Sequence, residues 1–274
     1  MTWSPAQYTT FEAERTRPVL DLVARISVHP VRTAVDLGCG PGNSTEVLGA
    51  RFPEAAVSGL DSSPEMIATA RKRLPQLGFE LADIAAWSQG TGPEPDVVFA
   101  NAALQWVPDH AALLPALLNR VAPGGCLAVQ VPDNLDEPSH RLMREVASGG
   151  PWAEKLAGAA DVRSPRHSPD WYYRTLGSAG ATVDIWRTTY FHRLENGPAG
   201  IVDWFTSTGL RPFIQPLDHA ERAEYLRRYQ AALADAYPVL PDGAVLLPFP
   251  RLFFVASKPS ALGRSSSNNE AVRE

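Results

Sequence analysis

The chain has 274 residues, 45% of them hydrophobic and 20% charged, with a net charge of -5; this excludes a disordered polyelectrolyte and allows one large domain or one domain with a substantial appendage. No apolar run approaches the roughly 20 residues of a bilayer crossing, and MTWSPAQYTTFEAER lacks a basic stretch leading into an apolar one, so the expectation is a cytoplasmic protein without a membrane partner. The acidic balance disfavours nucleic acid, and Cys39 and Cys126 form no CxxC or metal-ligand spacing, so no metal is expected.

The first pattern along the chain is a helix over 11–26, within an N-terminal segment, 1–30, assigned to a cap. Short β-branched or apolar runs then alternate with helical patterns, the mark of strand-helix-strand units and a parallel sheet. The expected strands are 31–37, 56–61, 78–83, 96–101 and 125–131. Between them, Ser63 with Pro64 and Glu65 opens a helix with Met66, Ile67, Ala70 and Leu74 on one face. Asp109 caps another that carries Leu113, Leu114, Leu117, Leu118 and Val121 at helical spacing, bent at Pro115 and ended by Pro123-Gly124-Gly125.

After residue 132 the alternation lapses. A helix is expected over 170–178, a long strand over 181–193, an amphipathic helix with Leu226, Tyr229, Leu233 and Tyr237 in register, and a last strand over 244–256. The organisation read from this is a core of 31–138, a cap insertion of 139–167, a core helix and strand over 168–193, a helical cap insertion of 194–243, the last core strand, and a polar, disordered tail from 257 to 274.

The first strand ends in Val35-Asp36-Leu37-Gly38-Cys39-Gly40-Pro41-Gly42-Asn43-Ser44, with glycine at alternate positions where strand turns into helix. Glycine there lets a ligand lie against bare backbone beside the free amides of a helix start. G-x-G-x-G alone fits an ordinary turn equally well, and a lone acid at a strand end fits a helix cap. The combination is more telling: Asp61 and Asp83 end the second and third strands, and sheets of this kind bind ligands at the carboxyl ends of their strands.

VDLGCGPGNS, GLDSSPEMIATA, LADI, DVVFANAALQWVPDH and APGGCLAVQVPDN, in that order, resemble the successive motifs of class I S-adenosylmethionine-dependent methyltransferases. FEAERTRP, PDNLDEPSHRLMREVA, VDIWRTTYFH, WFTSTGLRPF and FPRLFFVA are further similar to the branch that esterifies a small tricarboxylate. The resemblance implies an α/β, Rossmann-like, seven-stranded and mostly parallel sheet with a helical cap, and S-adenosyl-L-methionine as cofactor. It implies that Gly38, Gly40 and Gly42 pass under the methionine part, and that Asp36 fixes the loop or the ammonium. Asp61 would hold the ribose hydroxyls, Asp83 and the Ile84 amide the adenine, and Asn101 with Ala102 the methionine end.

A carboxylate acceptor is ionised at neutral pH, so transfer needs no general base, and no catalytic residue is expected beyond orientation and desolvation. Guanidinium forks and hydroxyls suit a small polycarboxylate partner. The candidates are Tyr8, Arg17, Gln105, Trp106, His140, Tyr172, Tyr173, Arg211 and Arg251. Several have a plainer role open to them: a surface ion pair for Arg17, helix caps for Arg211 and Arg251, packing for Trp106, and core for one of the two tyrosines. His29, His110, His167, His192 and His219 follow no triad order, and Cys39 reads as packing. Two alternatives remain open at this stage: the same fold acting on another small acid or a phenol, and a non-catalytic ligand-binding scaffold.

Overall fold

A computed structural model describes residues 12–162, 167–206 and 208–260. In chain order these form α1 (Glu12–Ala24), β1 (Thr33–Leu37), α2 (Asn43–Arg51), β2 (Ala56–Asp61), α3 (Pro64–Arg73), β3 (Gly78–Leu81), α4 (Ile84–Ser88) and β4 (Val97–Asn101). A 3₁₀ turn at Leu104–Trp106 leads to α5 (His110–Asn119), β5 (Cys126–Pro132) and α6 (Pro138–Ser148). Then come α7 (Pro169–Ser178), β6 (Thr182–Leu194), α8 (Pro198–Thr206), α9 (Arg211–Ile214), α10 (His219–Ala236) and β7 (Val245–Ser257).

The strands form one seven-stranded sheet in the order β3-β2-β1-β4-β5-β7-β6, and the β1–β2, β1–β4, β2–β3 and β4–β5 pairs are parallel. Val97–Ala100 and Cys126–Val129 have no exposed surface, which is why these strands read as unbroken apolar runs rather than as alternation. The strand order reverses between β1 and β4. In sheets of this kind such a switch point is where a crevice opens, at the carboxyl ends of both strands.

Local signals set the edges of these elements. Ser63 accepts from Met66 N and caps α3, and Asp109 accepts from Ala112 N and caps α5, as their positions in the sequence require. Pro115 lies inside α5 without ending it. Three strands are shorter than expected: β1 starts at Thr33 rather than at 31, and two others are cut because an acid does something else. Asp83 caps α4, so β3 stops at Leu81. Buried Asp96 accepts the Arg32 and Thr33 amides at 2.8 and 3.0 Å, so it clamps the start of β1 and β4 begins one residue later.

The chain divides into two compact units, Thr16–Val131 with His167–Trp186 and Phe253–Glu274, and Met1–Arg15 with Pro132–Arg166 and Arg187–Leu252. The division differs from the expected cap in four places: α1 from Thr16 onward groups with the glycine-turn unit, the break after β5 falls at Pro132, β6 changes unit at Arg187, and β7 joins the glycine-turn unit only from Phe253. The reason is visible in the side chains. Val19, Leu22 and Val23 of α1 are buried, and Trp186 stacks on Phe253 at 5.1 Å in the first unit, whereas His192 stacks on Trp204 at 4.4 Å in the second.

Within the second unit, α6 and α10 are joined by hydroxyls. Tyr225 Oη donates to Met143 O and Tyr229 Oη to Ser139 O, each at 2.9 Å, and Tyr237 Oη accepts from Ser139 N at 3.0 Å. The buried stripe of α10 is Tyr225, Tyr229 and Leu233; Leu226, expected in that stripe, is only half-buried.

Residues 257–260, expected in the tail, are held instead. Ser257 ends β7, Lys258 N donates to Gly125 O at 2.9 Å, and Lys258 Nζ donates to Asn119 O and Val121 O at 3.1 and 2.6 Å. Residues 261–274 lie outside the described residues. Among the described residues no helix is long and apolar enough to cross a membrane.

Candidate functional site

The turn between β1 and α2 is set by its glycines. Gly38, Gly40 and Gly42 have φ of 69°, 55° and 94°, left-handed values that residues with side chains rarely adopt. At Gly38 the reason is also steric: a Cβ there would sit 2.5 Å from Ala103 Cβ and 3.6 Å from Ile84 Cδ1. At Gly40 a Cβ would meet no atom within 4 Å, so one face of its backbone looks onto open space. Gly42 caps α2 with no side-chain hydrogen bond, so first-turn amides stay available to an anionic group such as a carboxylate.

Two acids fix this turn. Asp61 Oδ2 accepts Gly40 N at 2.9 Å and its Oδ1 accepts Ser63 N at 2.8 Å, so the carboxylate at the end of β2 holds the loop while keeping a second lone pair on each oxygen. Asp36 is fully buried, and its Oδ2 accepts Ser44 Oγ at 2.6 Å and Thr45 Oγ1 at 2.7 Å. Burial pushes its pKa up from 3.8 to about 6; the two hydroxyls pull it down, and Asp61 adds repulsion.

Four buried oxygens here have no hydrogen-bond partner: Asp36 Oδ1, Asn43 Oδ1, Asn101 Oδ1 and Gln105 Oε1. All belong to residues at the carboxyl ends of β1 and β4, in the 3₁₀ turn after β4 or at the start of α2. Such groups are costly unless a donor arrives. A cationic ligand with N–H donors and a flat backbone-facing body supplies what is missing, so the residues fit S-adenosylmethionine.

The structure thus gathers Asp36, Gly38, Gly40, Gly42, Asp61, Ile84, Asn101 and Ala102 around one turn and its neighbouring strand end. Ala102 is itself left-handed, with φ of 52°, and its amide donates to Gln130 O at 2.9 Å. Asp83 is exposed and caps α4 by accepting Ala86 N at 3.0 Å, so its local role accounts for it without a ligand. Asn43, Ser44 and Thr45 went unremarked as site residues in the sequence. Their signal was there: polar residues in the first turn of a helix that follows a strand-end aspartate. Cys39 packs as expected, its thiol pushed up by burial and by Asp36 and Asp61, and a Cβ on Gly59 would come within 2.9 Å of it.

The acceptor candidates are spread through the chain. In the glycine-turn unit, Gln105 is buried, with Nε2 donating to Ala102 O at 2.7 Å, and Trp106 is half-buried. Tyr172 is the core tyrosine of its pair, its hydroxyl 3.1 Å from His110 Nδ1, while Tyr173 is 54% exposed. Arg17 is exposed on α1. In the other unit, His140 is buried edge-on to Phe205 at 4.8 Å, and Arg211 is half-buried at the start of α9. Arg251, expected as a possible helix cap, lies instead in β7 over the Phe249 ring at 4.8 Å. It is the only lysine or arginine buried among the described residues. Tyr8 lies outside them. No group of three or more His, Cys, Asp or Glu among the described residues is arranged to hold a metal.

Comparison with known proteins bears on the same residues. The model of a family described as a methyltransferase domain matches residues 34–125. A trans-aconitate 2-methyltransferase of Methylobacterium nodulans is 60% identical over 93% of this chain and 98% of its own length. One of Methylobacterium radiotolerans is 55% identical over 94% and 99%. Among solved structures, the YcgJ protein of Bacillus subtilis superposes with a TM-score of 0.57 at 12% identity, over 89% of this chain and 99% of that one, a likeness of fold.

Proposed function

We propose that this chain, which belongs to the trans-aconitate 2-methyltransferase family, moves the methyl group of S-adenosylmethionine onto one carboxylate of trans-aconitate. The observation that carries the cofactor half is the glycine turn, with open backbone at Gly40 between Asp36 and Asp61 and with unpartnered oxygens beside it. When bound, the cofactor supplies an electrophilic methyl on a sulfonium.

What the chain's own residues do follows from their chemistry. In this reading the second lone pairs of Asp61 take the ribose hydroxyls, and Asp36 Oδ1 takes a donor from the ammonium end. Gly38, Gly40 and Gly42 present bare backbone, Asp83 and Ile84 flank the adenine, and Asn101 with Ala102 borders the methionine end. Asp36 and Asp61 together give the pocket the negative character that a sulfonium cation requires.

The acceptor's carboxylates ionise near pH 4 and are nucleophilic as they stand, so no side chain has to remove a proton. Rate then comes from alignment of oxygen, methyl carbon and sulfur and from exclusion of water around opposite charges that cancel on transfer. Arg251 has the chemistry to fork onto a carboxylate, with Arg17, Arg211, Tyr173, His140, Gln105 and Trp106 as further candidates. The reading places the reaction in the cytoplasm, where reducing conditions suit unpaired Cys39 and Cys126. It involves neither metal nor nucleic acid.

The test is transfer of radiolabelled methyl from S-adenosylmethionine to a panel of di- and tricarboxylic acids, with the esters extracted after neutralisation. Trans-aconitate should be labelled fastest, with no pKa near 7 in the rate profile, and Arg251→Lys should raise its KM about tenfold by losing the planar fork. Cofactor binding without label in any carboxylic acid would refute the proposal.

A further inference from the structure

The loop between β4 and α5 is held more firmly than a connection of its length requires. Ala102 and Asp109 bracket it, both left-handed, with φ of 52° and 53°. Residues with side chains avoid that region unless their surroundings impose it, and such strain gathers at functional sites. Three hydrogen bonds tie the loop down between them. Ala102 N donates to Gln130 O at 2.9 Å, Gln105 Nε2 donates to Ala102 O at 2.7 Å, and the His110 ring reaches back to Leu104 O at 2.8 Å through Nε2.

The His110 contact fixes a proton. A carbonyl oxygen only accepts, so Nε2 carries the hydrogen, and in the neutral ring Nδ1 must then be an acceptor. Tyr172 Oη lies 3.1 Å from Nδ1 and supplies the donor. Tyr172 has little freedom to leave: its ring stacks on Phe254 at 5.3 Å and meets Trp171 edge-on at 5.2 Å and His167 at 5.9 Å. Both partners are buried, His110 at 4% and Tyr172 at 1% exposure.

We infer that His110, its proton set on Nε2 by the Leu104 carbonyl and its Nδ1 held by Tyr172, is a positioning residue for methyl transfer: it clamps the Leu104–Trp106 turn, and so holds Gln105 in fixed register with the strand end at Asn101 and Ala102. The inference rests on the methyltransferase reading of the site. Simple core packing would bury the two rings equally well, yet it calls for neither the directed pair of hydrogen bonds nor the strained residues at both ends of the loop. With the clamp released, Gln105 drifts, and small misplacements of aligning groups are expensive in rate.

The test uses the full chain as wild type, His110→Phe, Tyr172→Phe, the double variant, and His110→Gln, whose amide keeps a donor for Leu104 O. In His110→Phe, kcat/KM for the carboxylic acid should fall roughly tenfold or more, while the Kd for S-adenosylhomocysteine changes no more than about threefold. Tyr172→Phe should lose less, the double variant no more than His110→Phe, and His110→Gln should recover most of the loss, because the pair acts as one unit. Nitrogen-15 spectra of the imidazole should show protonated Nε2 and a hydrogen-bonded acceptor Nδ1 in the wild type, and in Tyr172→Phe a still protonated Nε2 with the Nδ1 signal shifted by loss of its donor, a readout that survives even if His110→Phe does not fold. Wild-type kcat/KM in folded His110→Phe, losses that multiply across the two sites, or a tautomer mixture in the wild type overturns the inference. A wild type that methylates no carboxylic acid defeats the reading of the reaction instead, and the spectra then decide the clamp: it stands if Nε2 is protonated and the Nδ1 signal depends on Tyr172, and falls if the wild type shows a tautomer mixture or an Nδ1 signal indifferent to Tyr172.

Discussion

The glycine turn and the α6–α10 contact bury polar groups in opposite ways. Between α6 and α10, Tyr225, Tyr229 and Tyr237 each end on a backbone partner, so the hydroxyls serve the fold. Around the turn, Asp36, Asn43, Asn101 and Gln105 each keep a buried oxygen without a donor, and Ala102 and Asp109 hold strained backbone near it. Saturated polar groups stabilise a structure by themselves, whereas half-saturated ones store a demand that a ligand meets. The contrast separates what the chain spends on standing up from what it reserves for binding.

The largest effect should come from breaking the saturated side. Tyr229→Ala removes a buried aromatic and leaves Ser139 O without its donor, and should lower unfolding free energy by about 3–5 kcal/mol. In denaturant titrations the loss should appear in full, while S-adenosylhomocysteine affinity measured well below the transition stays within about twofold. A matching loss of affinity would mean that the two regions are not separable in this way.

Much of the contrast was legible in the sequence, and for a local reason. Ser63 and Asp109 announce helix starts, the glycines announce a turn that needs left-handed backbone, and Asp61 stands at a strand end, all within a few residues of what they control. Partners far apart in sequence were not legible. The His110–Tyr172 contact spans 62 residues, and nothing around His110 sets it apart from the other histidines. Helical register put Leu226 in the buried stripe and left Tyr225 out of it, because the Met143 carbonyl that holds the buried Tyr225 hydroxyl lies 82 residues away. The break of the chain at Arg187 was hidden because a single 13-residue strand serves two cores, and periodicity alone says nothing of which core a residue faces.

The demand stored at Asp36 can be sharpened by pH. A rise from 3.8 to about 6 means the folded state binds the proton more tightly than the unfolded chain. Between pH about 4 and 6 the folded form therefore holds more protons, and stability without ligand falls as pH rises through that window. Above it the ionised carboxylate costs up to about 3 kcal/mol. Asp36→Asn should thus gain stability over the wild type with rising pH, near zero at about pH 4 and greatest above about pH 6. Cofactor binding to the wild type should release protons near pH 6, seen by calorimetry in buffers of different ionisation enthalpy. A pH-independent difference between the two proteins would show that the carboxylate is not the strained element.

The smallest expected cost to the fold is at Gly40. Because a Cβ there meets no protein atom, Gly40→Ala should destabilise by only the left-handed strain of about 1–2 kcal/mol. The methyl nonetheless intrudes where ligand would lie against backbone, so cofactor affinity should fall by at least about tenfold. Thermal melts with and without S-adenosylhomocysteine distinguish the two effects: a ligand-induced rise in midpoint as large as the wild type's would show that the open face is not the binding face.

Lys258 has a practical consequence for anyone who trims or extends this polypeptide. Its ammonium bridges the carbonyls of Asn119 and Val121, and its backbone pairs with Gly125, so the residue just past β7 fastens the exit of α5 as a buckle closes a belt. A shortened version ending at Ala256 surrenders that fastening, whereas an affinity handle appended after Glu274 leaves it in place.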